Sequence, residues 1–392
     1  MTNMPLPTDQ PFVDLSRARA AMEADGLDAL IASSPRNVLY LSGHVFFDIL
    51  VEPDASTFAA LPAREDVDAF LTVPMGGRLM FDDFPAWPPT KIVYGNFSIT
   101  GGPPVAGDVA ADSVAALERG LHGIGAERSR VGLELDLIPV EIHRRIVEAL
   151  PGLEIVNASP IFTELRKRKT SGEVERIRRA TYAIETAIAE AFANIRVGVA
   201  EREIDRWIRE GLIRRGAEPV SLSIGTGSRG ALVWSWVTDR AVAGGDVVRA
   251  DITASYGGYC SDLARSCVVG EPTDEQATYY RAAHEAVQTG IATIRAGGRT
   301  GEVFDAAMGV ARGYGFPDFD RPHVGHGLGL QVHEAPYLSP SGGEIPVDAV
   351  LAVECPFYVH DLGGFSSEDV VVVGEAGLER FTYAPSQLPV VG

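Results

Sequence analysis

The sequence predicts two domains of mixed helix and strand: an α/β domain over residues 1–160, then an α+β domain over residues 165–392 assembled from two αβ halves. Three observations carry this. The chain has 392 residues, enough for two separate cores. Short apolar strands alternate with amphipathic helices in the first part. In the second part a helix pair recurs: Ile195-Arg196-x-Gly198 with Glu203-Ile204 returns as Ile294-Arg295-x-Gly297 with Glu302-Val303, an offset of about 99 residues.

Residues 13–25 carry apolar side chains at helical spacing and stop at Gly26, and residues 27–32 are a short apolar strand. Residues 33–37 read as a turn, and residues 38–41 as a helical turn or strand running into Gly43. A strand follows over 69–74. The Pro- and Trp-rich run over 82–90 reads as irregular, and 98–105 as a loop. Helices over 112–121 and 139–149 alternate with strands over 131–134 and 154–156. Nothing in this domain gathers ligands or a nucleophile, so a structural or oligomerisation role is expected of it. Residues 157–163 read as a linker. A long helix then starts at Ser171, whose hydroxyl with Glu173 and Glu175 suits an N-terminal cap. A second helix spans 201–216. The later pair covers 273–294 and 300–313, and strand pairs follow each helix pair.

Hydrophobic residues make up 46% and charged residues 22%, an ordinary balance for a globular protein. No apolar run reaches the roughly 18 residues of a membrane span, and the N-terminus has no basic, apolar secretory pattern. Three cysteines without a C-x-x-C argue against a thiolate zinc site and suit a reducing compartment, so a cytoplasmic protein is expected. A net charge of −19 opposes nucleic acid and anionic membranes as partners.

The candidate chemistry centres on residues 251–262, a hairpin with an aspartate on each strand. With residues 255–258 as the loop, Asp251 and Asp262 are expected directly opposite each other, about 5 Å apart and on one face. Such carboxylates repel unless a proton or cation lies between them. His326, Glu354 and Glu368 can complete a cation site. Any one of these acids alone reads as a solvated surface residue. Together, four carboxylates and an imidazole suit a pair of divalent metals.

The later motifs are G-H-G-L-G-L-Q-V-H-E-A-P over 325–336, Ala352-Val353-Glu354-Cys355-Pro356, and Gly363 to Asp369. In this order, after the two-aspartate hairpin, they resemble the pita-bread metallopeptidases: methionine aminopeptidase, Xaa-Pro aminopeptidase, prolidase and creatinase. The resemblance covers most of the chain, including a creatinase-like N-terminal domain whose clearest part is residues 27–43. It implies a pita-bread catalytic domain and two divalent metal ions (Mn, Co, Fe or Zn). Asp251 is then a terminal ligand of one ion, Asp262 and Glu368 bridge both, and His326 and Glu354 complete the second site. The resemblance further implies that Glu354 shuttles a proton, that His333 donates to substrate or to the tetrahedral intermediate, and that the protein is a homodimer.

Three departures stand out. Trp234 occupies the position where relatives carry a substrate-contacting histidine, and an indole donates one hydrogen bond but does not titrate. Ser366 stands where prolidase-like enzymes have arginine. Cys355-Pro356 replaces the usual turn after the glutamate. Trp234 and Trp236 read either as wall packing or as an aromatic face for an apolar or cationic group. His323 reads either as structural or as a substrate contact, since the family's histidine position is Pro322 here. The expected activity is hydrolysis of an amide or peptide bond in a small molecule or short peptide, of the Xaa-Pro peptidase type. The alternatives are a metal-dependent C–N hydrolase or lyase of a small quaternary-ammonium or sulfonium compound, and a non-catalytic binding protein.

Overall fold

The computed structural model describes residues 10–44, 56–82, 85–96, 100 and 108–392. The chain divides into two compact units, Leu6–Arg166 and Lys167–Gly392.

The first unit is built on one six-stranded sheet. Its elements are α1 (Leu15–Asp25), β1 (Ala29–Ala32), α2 (Pro35–Ser42), β2 (Ala59–Pro62), β3 (Phe70–Pro74), β4 (Thr90–Tyr94), α3 (Ser113–Gly123), β5 (Arg130–Leu133), α4 (Val140–Ala149), β6 (Glu154–Asn157) and α5 (Ser159–Lys167). The strand order is β4-β3-β2-β1-β5-β6. The central pair β1–β2 is antiparallel and β1–β5 parallel. Ile31, Phe58, Phe70, Leu117, Val131 and Ile146 belong to the apolar core. Gly26 ends α1 in the left-handed conformation (φ 62°), as its position in the sequence predicted.

Several local readings need correction. Residues 35–37 are the first turn of α2, not a free turn: Ser34 caps it through Asn37 N, and Pro35 stands in its first turn, where a missing N–H costs nothing. The buried Glu134 carboxylate accepts from Ser33 N, Ser34 N and Asn37 Nδ2, placing a negative charge at that helix start. Strands β2 and β4 were not anticipated. Residues 159–163, read as linker, belong to α5, which starts where Asn157 Oδ1 accepts from Ser159 N. The expected loop over 98–105 lies outside the described residues except at Thr100.

The second unit contains the two helix pairs, α6 (Ser171–Phe192) with α7 (Glu201–Arg214) and α8 (Asp274–Thr293) with α9 (Thr300–Gly313). The duplication shows in their capping. Thr170 with Glu173, and Thr273 with Gln276, each form a complete capping box, so Thr170 rather than Ser171 caps α6. The residues before α7 and α9 make equivalent isolated bridges, Ala200 to Ala241 and Arg299 to Glu344.

The strands of this unit are β7 (Glu218–Thr226), β8 (Val247–Tyr256), β9 (Tyr259–Val269), β10 (Gly325–Gly327), β11 (Glu334–Tyr337), β12 (Val350–Glu354), β13 (Phe357–Val359), β14 (Gly363–Phe365), β15 (Glu368–Gly374), β16 (Gly377–Arg380) and β17 (Val390–Val391). One sheet runs β17-β9-β8-β7 and the other β11-β10-β12-β15-β16, with β13 and β14 as a separate ribbon. An antiparallel bridge between Arg265 and Ser367 brings β9 beside the start of β15. One half therefore presents its aspartates next to the glutamate of the other.

The hairpin register differs from expectation. Its turn is the two-residue Gly257-Gly258, both at positive φ (60° and 82°), which a tight hairpin turn of this twist demands. Thr253 consequently pairs with Asp262, and Asp251 with Ala264. Asp251 and Asp262 share a face but are diagonal, not opposite.

Candidate metal centre

Each ligand candidate is placed by a strand. Asp251 on β8 and Asp262 on β9 point to one face of the hairpin because side chains alternate with period two and the register offset between them is even. His326 pairs with Ala352 across β10–β12, and Glu354 faces Glu368 across β12–β15. Gly325 lies so close to β12 that a Cβ there would meet Ala352 O at 2.3 Å, and its φ of 146° excludes most side chains. The glycine before His326 thus lets that strand seat.

Two sets of side chains bring ligand atoms within 4.8 Å of one another: Asp251, Asp262 and Glu368, and Asp262, His326 and His333. Asp262 belongs to both. Its Oδ1 accepts from Thr253 Oγ1 at 2.9 Å, while its Oδ2 lies 3.8 Å from His326 Nε2. His326 Nδ1 lies 3.2 Å from Gly327 O; as a donor to that carbonyl it leaves the Nε2 lone pair turned toward Asp262. His326 Nε2 and Glu368 Oε1 are buried without a hydrogen-bond partner. Orphaned buried polar atoms are costly, and a divalent cation is the partner that an oxygen-rich set with an imidazole accepts. The residues present fit such an ion.

The charges follow this packing. Burial first, then the charge of Asp251, pushes the Asp262 carboxyl well above the usual carboxylate range. Burial and the charge of Asp262 do the same to Glu368. Burial also raises Asp251, partly offset by Arg249, whose Nη1 donates to Asp251 Oδ2 at 2.9 Å. Glu354 goes the other way: against the cost of burial, the Arg321 guanidinium 3.0 Å away holds its carboxyl below the ordinary range. Burial brings His326 down to about 4, so its imidazole is neutral and ready to ligate at physiological pH.

Of the expected residues, Asp251, Asp262, His326 and Glu368 converge. Glu354 is on the same face but stands outside both close ligand sets, engaged by Arg321 and 3.6 Å from His323 Nδ1. His323 thus faces Glu354, and burial lowers its pKa. His333 is exposed, with its ring centroid 4.0 Å from that of His326. Trp234 and Trp236 are each 84% exposed, so neither is wall packing in this unit, and Ser235 between them is buried against β7 through Ser223 Oγ. Ser366 is 1% exposed.

Sequence reasoning missed Arg249, Arg321, Lys169 and Glu334. Arg249 was accessible in principle, since a residue two before Asp251 on a strand shares its face. Arg321 and Lys169 carry no local signal. Lys169 Nζ lies 3.2 Å from Glu334 Oε2, both buried, and Glu334 Oε1 accepts from Gln331 N; this fixes the turn that bears His333.

The profile described as metallopeptidase family M24 matches residues 175–375, and that of the creatinase/prolidase N-terminal domain matches residues 15–168. The chain belongs to metallopeptidase family M24. An uncharacterized peptidase of Bacillus subtilis, YqhT, is 28% identical over 371 residues, covering 93% of this chain and 96% of that protein. The Xaa-Pro dipeptidase of Pyrococcus furiosus is 30% identical over 238 residues, covering 60% of this chain and 68% of that protein. Among solved structures, an X-Pro aminopeptidase from Thermotoga maritima matches with a TM-score of 0.79 at 23% identity, covering 96% of this chain and 99% of that one, which shows a shared fold. The expected architecture, a creatinase-like N-terminal domain followed by a pita-bread catalytic domain, is that of this M24 member. As an M24 protein with prolidase relatives it is a metal-dependent hydrolase. No helix among the described residues is long and apolar enough to cross a membrane.

Proposed function

We propose that this M24 hydrolase uses two divalent cations to cut the amide bond of small Xaa-Pro-type peptide substrates. The observation that carries the reading is the membership of Asp262 in both close ligand sets, which is the geometry of a bridging carboxylate. The names of two relatives, an Xaa-Pro dipeptidase and an uncharacterized peptidase, support the substrate class. Asp251, Asp262 and Glu368 would hold one cation. Asp262 and His326, with His333 within reach of both, would hold the other, and Glu354, held by Arg321 at the edge of this set, would contribute its second oxygen. Divalent cations at such a site supply Lewis acidity, acidifying water and polarising a carbonyl oxygen.

The side chains do the rest. Glu354 is kept ionised by Arg321, so it accepts a proton from the attacking water and passes it to the leaving nitrogen. His333, exposed beside His326, donates to the substrate carbonyl as charge develops on it. His323 keeps to the Glu354 side of the pocket.

One observation favours a second reading, a C–N hydrolase or lyase of a small quaternary-ammonium or sulfonium compound. Trp234 and Trp236 are free to offer aromatic faces to such a cation, and Ser366 supplies no charge for a peptide carboxylate. A panel of Xaa-Pro dipeptides, betaines and N-acyl compounds, assayed with Mn, Co, Fe or Zn, tests both. Turnover of the dipeptides at ordinary peptidase rates removes the second reading; turnover confined to the betaines removes the first.

A further inference from the structure

The carboxylates of the centre are unequally compensated. Arg249 is fully buried, and each of its nitrogens has a partner: Nη1 donates to Asp251 Oδ2 (2.9 Å), Nε to Gly230 O (3.0 Å), and Nη2 to Ser223 Oγ (3.1 Å), Leu232 O (2.7 Å) and Val233 O (3.0 Å). Arg321 donates through Nη2 to Glu354 Oε2 (3.0 Å), through Nη1 to Pro356 O (3.3 Å) and through Nε to His323 O (3.3 Å). Among the described residues no guanidinium hydrogen-bonds the side chain of Asp262 or Glu368. Asp262 accepts from the Thr253 hydroxyl and from Leu263 N, and Glu368 Oε1 has no hydrogen-bond partner, the Arg265 charge only partly offsetting its burial. Arg265 reaches the backbone carbonyl of Glu368, but its ion pairs are with Glu185 and Asp369.

We propose that Arg249 and Arg321 are built-in counter-ions of the metal centre, holding Asp251 and Glu354 before any cation arrives and competing with cations for those two carboxylates afterwards. The inference rests on the metal reading above. A guanidinium stays protonated at any working pH, so its charge cannot be shed when a dication enters. Each arginine therefore leaves one oxygen of its partner for coordination and repels the incoming ion across a buried, weakly screened distance. The uncompensated pair, Asp262 and Glu368, takes the first cation. Arg249 also ties the backbone of residues 230–233, just ahead of Trp234, to Asp251, so the same residue sets where the tryptophan segment stands relative to the metal.

A purely structural arginine and a competing one predict opposite signs. Loss of a structural residue loosens the site and weakens metal binding. Loss of a competitor strengthens it, although the metal-free protein becomes less stable. The test is calorimetric titration of Mn2+ and Zn2+ into the metal-free full-length protein, with thermal midpoints recorded for each variant. Arg249→Met and Arg321→Met are expected to bind Mn2+ about tenfold tighter than wild type or better, with lower metal-free midpoints, while Arg321→Lys, which keeps the charge, stays near wild type. Arg321 satisfies fewer backbone carbonyls than Arg249, so its variant carries the test if Arg249→Met does not fold. Unchanged or weaker Mn2+ affinity in the folded methionine variants overturns the proposal. A wild-type protein that binds neither ion refutes instead the metal reading beneath it.

Discussion

Glu354 and Glu368 occupy one antiparallel rung between β12 and β15, yet they carry opposite electrostatic environments. Arg321 stands against Glu354, and Glu368 Oε1 has no hydrogen-bond partner among the described residues. The rung thus sets an ionised carboxylate, suited to moving a proton, beside one that waits for a cation.

Replacing Glu368 with glutamine removes a buried carboxyl that the metal-free fold keeps protonated at a cost, its Oε1 having no hydrogen-bond partner among the described residues. The metal-free thermal midpoint is expected to rise by roughly 2–4 °C, the equivalent of about 1 kcal/mol for a unit of this size. Metal-dependent stabilisation and hydrolysis should be lost together. Differential scanning calorimetry with and without Mn2+ reads both, and an E368Q protein that still gains stability from Mn2+ argues against Glu368 as a ligand.

The raised carboxyls of Asp262 and Glu368 give a pH dependence with a definite sign. In the metal-free fold they keep a proton that the unfolded chain loses near pH 4. Their contribution to stability is therefore greatest below that pH, and it declines as pH rises toward their raised values. Cation binding has to displace the retained proton, so affinity climbs over the same window. Titrations in two buffers of different ionisation enthalpy should show net proton release on cation binding, shrinking as pH rises. His326 adds little to that release because its imidazole already lacks the proton.

The buried pair of Lys169 and Glu334 supports the turn carrying His333. Lys169→Met strands a buried carboxylate, and a loss of about 3–5 kcal/mol is expected from chemical denaturation. The double variant K169M/E334Q, which removes both charges, should recover part of it. If the single and double variants are equally destabilised, the pair is not what holds the turn.

Trp234 and Trp236 have almost no packing to lose. Alanine at both positions should change stability by less than about 0.5 kcal/mol. If they face substrate, KM rises by about three- to thirtyfold while kcat changes less. Equal kinetics in wild type and the double variant would place the indoles outside the substrate path.

Much of this protein was legible in its sequence because local rules agree with the fold. Helical periodicity placed both helix pairs, Gly26 marked the end of α1, and the Ile-Arg-x-Gly motif recurs at the ends of α6 and α8, each of which opens on a capping box. Where several local signals compete, the reading slipped. Ser-Ser-Pro-Arg-Asn suggested a turn, but Ser34 caps a helix there and Glu134, about a hundred residues away, accepts from Ser34 N and Asn37 at its start. A four-residue loop was expected between Asp251 and Asp262, but the paired positive φ values of Gly257 and Gly258 make a two-residue turn and shift the register.

By itself the sequence determined the inventory: which acids and imidazoles exist, their order, and that Asp251 and Asp262 share one face of a hairpin for any even-length turn, since side chains alternate along a strand. Only the tertiary structure decided how charge is distributed among them. Arg249 and Arg321 reach Asp251 and Glu354, and among the described residues no guanidinium hydrogen-bonds the side chain of Asp262 or Glu368, because strand register and burial set those distances. Coulomb energies depend on separation and dielectric, and neither is written in the order of residues.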